Sequence, residues 1–257
     1  MNIAFISAVL PVLVLLFFIY KKDKYQPEPI KKLLWTFFVG CISVVPAVMM
    51  EAVIMPFAPS AEHTPVLNGL FNGYIVAGFS EELCKLLLLM WVIWRSPHFD
   101  EYFDGIVYAA YLSLGFACVE NIGYVLQGDD QMATAFMRGL LAVPAHFLFA
   151  VTMGYYVSLA KFDPEHRGGH LWKAFLFPML LHGTYDALLM VSETLGKAYG
   201  EENSIVMIVC AALFIAFIIF DIKMWRWGLK RIKRLQERSQ EQGFDRMHPF
   251  DGFTWDI

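Results

Sequence analysis

Gly78-Phe79-Ser80-Glu81-Glu82-Leu83-Cys84-Lys85 sits in the middle of an otherwise apolar block running from Leu70 to Trp94. A block of that length and character predicts a membrane-spanning helix. Two adjacent carboxylates and a lysine near its centre are expensive to insert, so they need partners or a chemical task. Glu81 and Lys85 are four residues apart, and Glu82 and Lys85 three apart, so both carboxylates share a helix face with the lysine. Lys85 can then neutralise one carboxylate while the other stays free.

Outward from this stretch, the whole chain has the same apolar character. Of 257 residues, 58% are hydrophobic and 16% aromatic, and the mean hydropathy is +0.51. These values exclude an ordinary soluble domain and predict an all-α, polytopic membrane bundle. Seven spans can be drawn, at about 3–20, 33–56, 70–94, 105–126, 134–160, 171–193 and 204–224. The first is followed by Lys21-Lys22-Asp23-Lys24 with no small-residue cleavage signal, which reads as a retained first helix. Residues 1–224 form the transmembrane domain, with its core at 70–193. Residues 225–257 form a cytoplasmic, basic, amphipathic tail. In that tail Trp225, Leu229, Ile232 and Leu235 recur at helical spacing among basic residues, the pattern of an interfacial helix on an anionic leaflet. A nucleic-acid partner is not expected from it.

Seventeen Lys and Arg residues fall in alternate connections and the tail, against two, Arg138 and Lys197, on the opposite side. The asymmetry predicts an outside N-terminus and a cytoplasmic C-terminus. Cys41, Cys84, Cys118 and Cys210 lie in apolar blocks without C-x-x-C spacing, so neither a disulfide framework nor a zinc knuckle is indicated.

Other polar groups interrupt the later spans: Glu120-Asn121, Pro144-Ala145-His146 and His182-Gly183-Thr184-Tyr185-Asp186. Counted inward at ~1.5 Å per residue from the predicted outer ends, Glu81, His146 and His182 lie ~16–18 Å deep and Glu120 ~9 Å. Four groups on four helices thus converge on one layer, which scattered structural polar residues have no reason to do. His182 and Asp186 are four apart, so Asp186 can orient the imidazole. Glu51, Arg138 and Asp221 lie near predicted span ends and read as headgroup contacts. Asp104 reads as a cap for the fourth span. As a structural alternative, each motif by itself also fits an interhelical ion pair or hydrogen bond.

Buried glutamate with a histidine partner can deprotonate water and later protonate a leaving amine, and a second histidine can stabilise the oxyanion. Alternatively His146, His182 and Glu120 could hold zinc with a fourth position for water. H-E-x-x-H is absent, and Gly78-Phe79-Ser80 runs into Glu81 rather than completing G-x-S-G. A proton-coupled transporter also uses intramembrane carboxylates and histidines, but the two related halves with broken helices that it would predict are not evident. A non-enzymatic membrane scaffold is the third reading.

Four motifs in order resemble the PrsW family of intramembrane proteases: Glu81-Glu82-Leu83-Cys84-Lys85, Gly115 to Asn121, Pro144 to His146, and His182 to Asp186. The resemblance covers roughly residues 70–190. The wider group is similar to CAAX prenyl proteases and bacteriocin-processing enzymes. It implies an intramembrane endopeptidase in a bacterial cytoplasmic membrane, cutting a membrane-anchored protein on its extracytoplasmic side. In the family's first-described role that substrate is an anti-sigma factor of a stress response. By position, Glu81, Glu82, His146 and His182 are the expected catalytic residues, with Lys85, Glu120, Asn121 and Asp186 in support. One of Glu81 and Glu82 would act with His146 on the water, and His182 would stabilise the oxyanion or bind a metal. The resemblance implies metal dependence, zinc being the expected ion, while a metal-free glutamate/histidine mechanism stays open.

Overall fold

The computed structural model describes residues 3–200 and 202–247, and these residues contain no strand. Helix α1 spans Ile3–Lys22 and α2 Ile30–Ile54, the latter ending in a short turn at Met55–Phe57. Helix α3, Pro65–Phe71, continues without a break in helical dihedrals into a π-helical segment, Asn72–Phe79, and then into α4, Ser80–Ile93. Helix α5 runs Asp104–Gln127, α6 Gln131–Leu140, α7 Ala142–Phe162, α8 Arg167–Tyr199 and α9 Ser204–Met247.

Taken as rods, with α3 to α4 and α6 to α7 each counted once, the described residues form seven. Six are long and apolar enough to cross a membrane. The rod carrying Glu81 and Glu82 is not among the six, because the π-helical segment divides it and leaves α4 only 14 residues. A π-helical stretch is uncommon and concentrates at functional sites. Here it directly precedes the carboxylate pair.

Local chemistry sets the helix ends. Asp130 Oδ1 accepts hydrogen bonds from the amides of Met132 and Ala133 at 3.1 and 3.0 Å, capping α6. Gly200, with φ +80°, ends α8 in a conformation that L side chains rarely adopt.

Burial identifies the centre of the bundle. The apolar window of α5 is 78% buried and that of α6–α7 72%, against 6% for α9. Helices α1, α2 and α9 instead turn large apolar side chains outward, as lipid-facing helices do. Close packing at the centre follows from small residues: a Cβ added to Gly154 on α7 would collide with the backbone of Gly105 and Ile106 on α5.

One sequence expectation, the capping role of Asp104, changes here, and the end of the last span gains detail. No break separates the last span from the tail, since α9 is one helix of 44 residues. Its apolar spacing also packs on protein: Ile232 and Leu235 are buried. Gln236 Nε2 donates to the Lys22 carbonyl at 2.6 Å, and Ser239 Oγ accepts from the Phe103 amide at 2.8 Å. Asp104, expected to cap α5, sends no cap to that helix's amides. Its Oδ2 instead accepts from the amides of Asp100 and Glu101 at 3.0 and 2.7 Å. The four cysteines are free.

Candidate active site

Helices α4, α5, α7 and α8 bring the predicted residues into one buried layer. Glu81, Glu82 and Lys85 on α4, His146 on α7 and His182 on α8 are each at most 5% exposed. Lys85 Nζ donates to Glu81 Oε2 and to Glu82 Oε1, each at 2.9 Å. It also lies 3.2 Å from His146 Nδ1 and 4.0 Å from the centre of the Phe116 ring. The lysine therefore binds both carboxylates rather than one, the arrangement that makes their burial tolerable.

His182 is held from both sides. Its Nδ1 is 2.9 Å from Glu82 Oε1 and 3.9 Å from Glu81 Oε2, while Nε2 is 3.2 Å from Asp186 Oδ2. The Phe149 ring stacks on the imidazole at 4.8 Å, and His146 meets it edge-on at 5.3 Å. Close approach of α8 to the π-helical segment requires Gly183, where a Cβ would enter the Tyr74 ring. The Tyr74 hydroxyl and Thr184 Oγ1, 2.7 Å apart, tie the same two elements.

His146 has its own support. Nε2 lies 2.8 Å from Glu120 Oε2, and Ser113 Oγ donates to the His146 carbonyl at 3.0 Å. Arg138 Nη2 reaches the same Glu120 oxygen at 2.9 Å. Its Nε donates to Asn121 Oδ1 at 3.1 Å, and its guanidinium lies over the Tyr124 ring at 3.8 Å. Asn121 Nδ2 in turn donates to the Ala8 carbonyl on α1 at 2.7 Å.

One expectation is revised by this geometry. Arg138, read from sequence as a headgroup contact, belongs to the buried network. One signal pointed to it: it is one of only two basic residues on the side the charge asymmetry leaves nearly empty. Asn121, expected in support, holds Arg138, which pairs with Glu120. The aromatic partners Phe116 and Phe149 carry no polar signal and could not be singled out from sequence.

The donors that could hold a metal also differ from those read in the sequence. Glu81, Glu82, His146 and His182 each offer one ligand atom, all within 4.8 Å of one another. Glu120, expected as a ligand, stands on the far ring nitrogen of His146 instead. The four donors suit a divalent metal by chemistry: imidazole and carboxylate are the ordinary zinc ligands. Glu82 Oε2 is buried without a hydrogen-bond partner, so one oxygen of the set is uncommitted. Charge agrees as well. The carboxylates of Glu81, Glu82, Glu120 and Asp186 face two fixed cations, Lys85 and Arg138. These contacts leave more carboxylates than fixed cations, an excess of negative charge that a divalent ion would offset.

Comparison with known proteins gives one consistent answer. Residues 28–219 match the family described as "PrsW family intramembrane metalloprotease". The chain is similar to Protease PrsW of Clostridioides difficile (strain 630), 31% identical over 244 residues, covering 93% of this chain and 94% of the relative. It is similar to Protease PrsW of Bacillus subtilis (strain 168), 34% identical over 242 residues, covering 93% and 99%. The Geobacillus kaustophilus (strain HTA426) Protease PrsW is 34% identical over 236 residues, with 92% and 93% covered. No solved structure matches the chain.

Proposed function

Because this chain belongs to the PrsW family of intramembrane metalloproteases, we propose that the buried layer is its hydrolytic centre, with Glu81, Glu82, His146 and His182 as catalytic residues. The family assignment sets aside the transporter and scaffold readings. One observation carries the proposal: two carboxylates and two imidazoles from three helices meet within 4.8 Å inside an apolar bundle.

The geometry supports distinct roles. Glu82 is the more committed carboxylate, completely buried and held at 2.9 Å by both Lys85 and His182. Glu81 is slightly exposed and stands 3.9 Å from His182. Glu81 is therefore the better general base, taking a proton from water and returning it to the leaving amine. His146, steered through Nε2 by Glu120 and Arg138, presents Nδ1 to the pair, to assist the transfer in a metal-free site or to ligate a metal when one is bound. His182, clamped between Glu82 and Asp186, lies where it can donate to the developing oxyanion or serve as a ligand. Glu82, His146 and His182 would hold a zinc ion, which would supply Lewis acidity for the hydrolysis.

The reading extends to the membrane. All seven rods cross it, with the N-terminus outside, the C-terminus cytoplasmic and the site nearer the outer face. The substrate is a membrane-anchored protein cut on its extracytoplasmic side, an anti-sigma factor or similar regulator, in a bacterial cytoplasmic membrane. The positive-charge asymmetry supports this orientation.

Purified protein in proteoliposomes, given a membrane-tethered reporter peptide, tests the assignment. Glu81→Gln, Glu82→Gln, His146→Ala and His182→Ala should each lower cleavage by about 10²-fold or more. Chelator should abolish wild-type cleavage and zinc restore it. Cleavage by all four variants at the wild-type rate would overturn the site.

A further inference from the structure

A second buried polar cluster lies at the other end of α5, where the α1–α2 and α4–α5 connections meet. Asp23 and Glu28 come from the first connection, and Asp100, Glu101 and Asp104 from the second and the start of α5. Asp23, Glu28, Glu101 and Asp104 are each at most 5% exposed. Asp104 precedes Glu120 by sixteen residues on one helix, so this cluster is ~24 Å from the catalytic layer.

Part of the cluster is explained by hydrogen bonding. Asp23 Oδ2 accepts from the Glu28 amide at 2.9 Å, Asp104 Oδ2 caps two amides as above, and the Tyr108 hydroxyl donates to Glu28 Oε2. The remainder is not. Asp23 Oδ1 and Asp104 Oδ1 are buried and accept no hydrogen bond, and the Asp104 and Glu28 carboxyls can bond each other only where one of them keeps a proton. Among the described residues, no Lys, Arg or His forms an ion pair with Asp23, Glu28 or Asp104. Buried carboxylate oxygens without donor or counter-charge are costly and need an explanation.

Their spacing supplies one. Asp23, Glu101 and Asp104 each offer an oxygen, all within 4.8 Å of one another, and Glu28, Asp100 and Asp104 form a second such set sharing Asp104. Oxygens on opposite sides of a calcium ion are ~4.6–5.2 Å apart, twice the usual bond length, and those around magnesium are somewhat closer. The donors are all oxygen, which selects a hard divalent cation over zinc.

We propose that Asp23, Glu101 and Asp104 bind one magnesium or calcium ion, distinct from any catalytic metal, with Glu28 and Asp100 adding negative charge beside it. The ion is structural. It pins the α1–α2 connection to the start of α5, and through the Phe103–Ser239 and Asp100–Gln242 hydrogen bonds it steadies the far half of α9. Zinc chemistry in the membrane and this site are then separable by ion type.

Terbium, a luminescent calcium analogue excited through nearby tyrosines such as Tyr108, reads the site directly in the full-length protein in non-ionic detergent. Wild type and His182→Ala should both bind one equivalent, displaced by excess calcium or magnesium. Asp23→Asn and Asp104→Asn should weaken binding about 10- to 100-fold. Millimolar calcium or magnesium should raise the melting temperature of wild type and not of Asp23→Asn. Absence of terbium binding by wild type, or equal binding by Asp23→Asn, would overturn the proposal. So would loss of binding in His182→Ala alone, which would place the ion in the catalytic layer. Should Asp104→Asn fail to fold, Asp23→Asn and the wild-type competition still decide it.

Discussion

Replacing Arg138 with alanine tests whether His146 is steered from outside the four proposed catalytic residues. One oxygen, Glu120 Oε2, serves two donors: His146 Nε2 at 2.8 Å and Arg138 Nη2 at 2.9 Å. In Arg138→Ala the carboxylate keeps its place on the imidazole but loses the cation holding it there. A hydrogen bond to a charged group contributes about 1.5–3 kcal/mol net. The two side chains here are 20% and 18% exposed, so water replaces part of the loss and about 1–2 kcal/mol is the better figure. If that falls on the positioning of His146 in the transition state, kcat drops about 5- to 30-fold. KM should not change, because Arg138 touches no catalytic carboxylate other than through Glu120. The assay is initial-rate cleavage of the tethered reporter in proteoliposomes, with the melting temperature as a check on folding. Glu120→Gln should produce a similar loss, and the double variant should be little worse than either single one, since both act through one oxygen. Full activity in Arg138→Ala, or additive losses in the double variant, would refute a steering role.

Three further outcomes follow from other contacts. Lys85→Met strands two buried carboxylates and should destabilise the protein by about 3–5 kcal/mol; detergent-stability profiles should show early unfolding, partly recovered by adding Glu82→Gln. Wild-type stability in Lys85→Met would mean the ammonium is not what holds the pair. Gly183→Ala drives a Cβ into the Tyr74 ring and should cost about 1–3 kcal/mol, whereas Gly168→Ala, with nothing within 4 Å, should melt with wild type. Burial pushes the Asp23 carboxyl up to about 6 and, for the same main reason, Glu28 up to about 7. The folded protein therefore binds more protons than the unfolded chain between the ordinary carboxylate range and those values, and stability falls as pH rises through that window. In chelator, the melting temperature should decline from about pH 4 to about pH 7; a flat profile would show that these groups ionise freely when folded.

Much of this molecule is legible along the chain. Length and hydropathy delimit the helices, because a bilayer-sized apolar block has few other fates. The candidate catalytic layer is legible for a related reason: a charged or imidazole side chain inside such a block is conspicuous, and depth along a helix is simple arithmetic. Glu81, Glu82, His146 and His182 meet in one layer, as their shared depth along separate helices predicts. Asp186 bonds His182 as its four-residue spacing predicts.

What only the tertiary structure decided are relations between helices and events at their ends. Lys85 also reaches Nδ1 of His146, Glu120 faces the outer nitrogen of His146, and Asn121 serves Arg138. Each depends on how a helix is rotated about its axis, which spacing within one helix does not specify. Arg138 was hidden because a charge near a span end has an easy alternative in water or headgroups. The π-helical segment, the unbroken α9 and the Asp23–Asp104 cluster were hidden too. Residues 80 or so apart become neighbours only when two connections fold over the same end of the bundle, and no local pattern records that meeting.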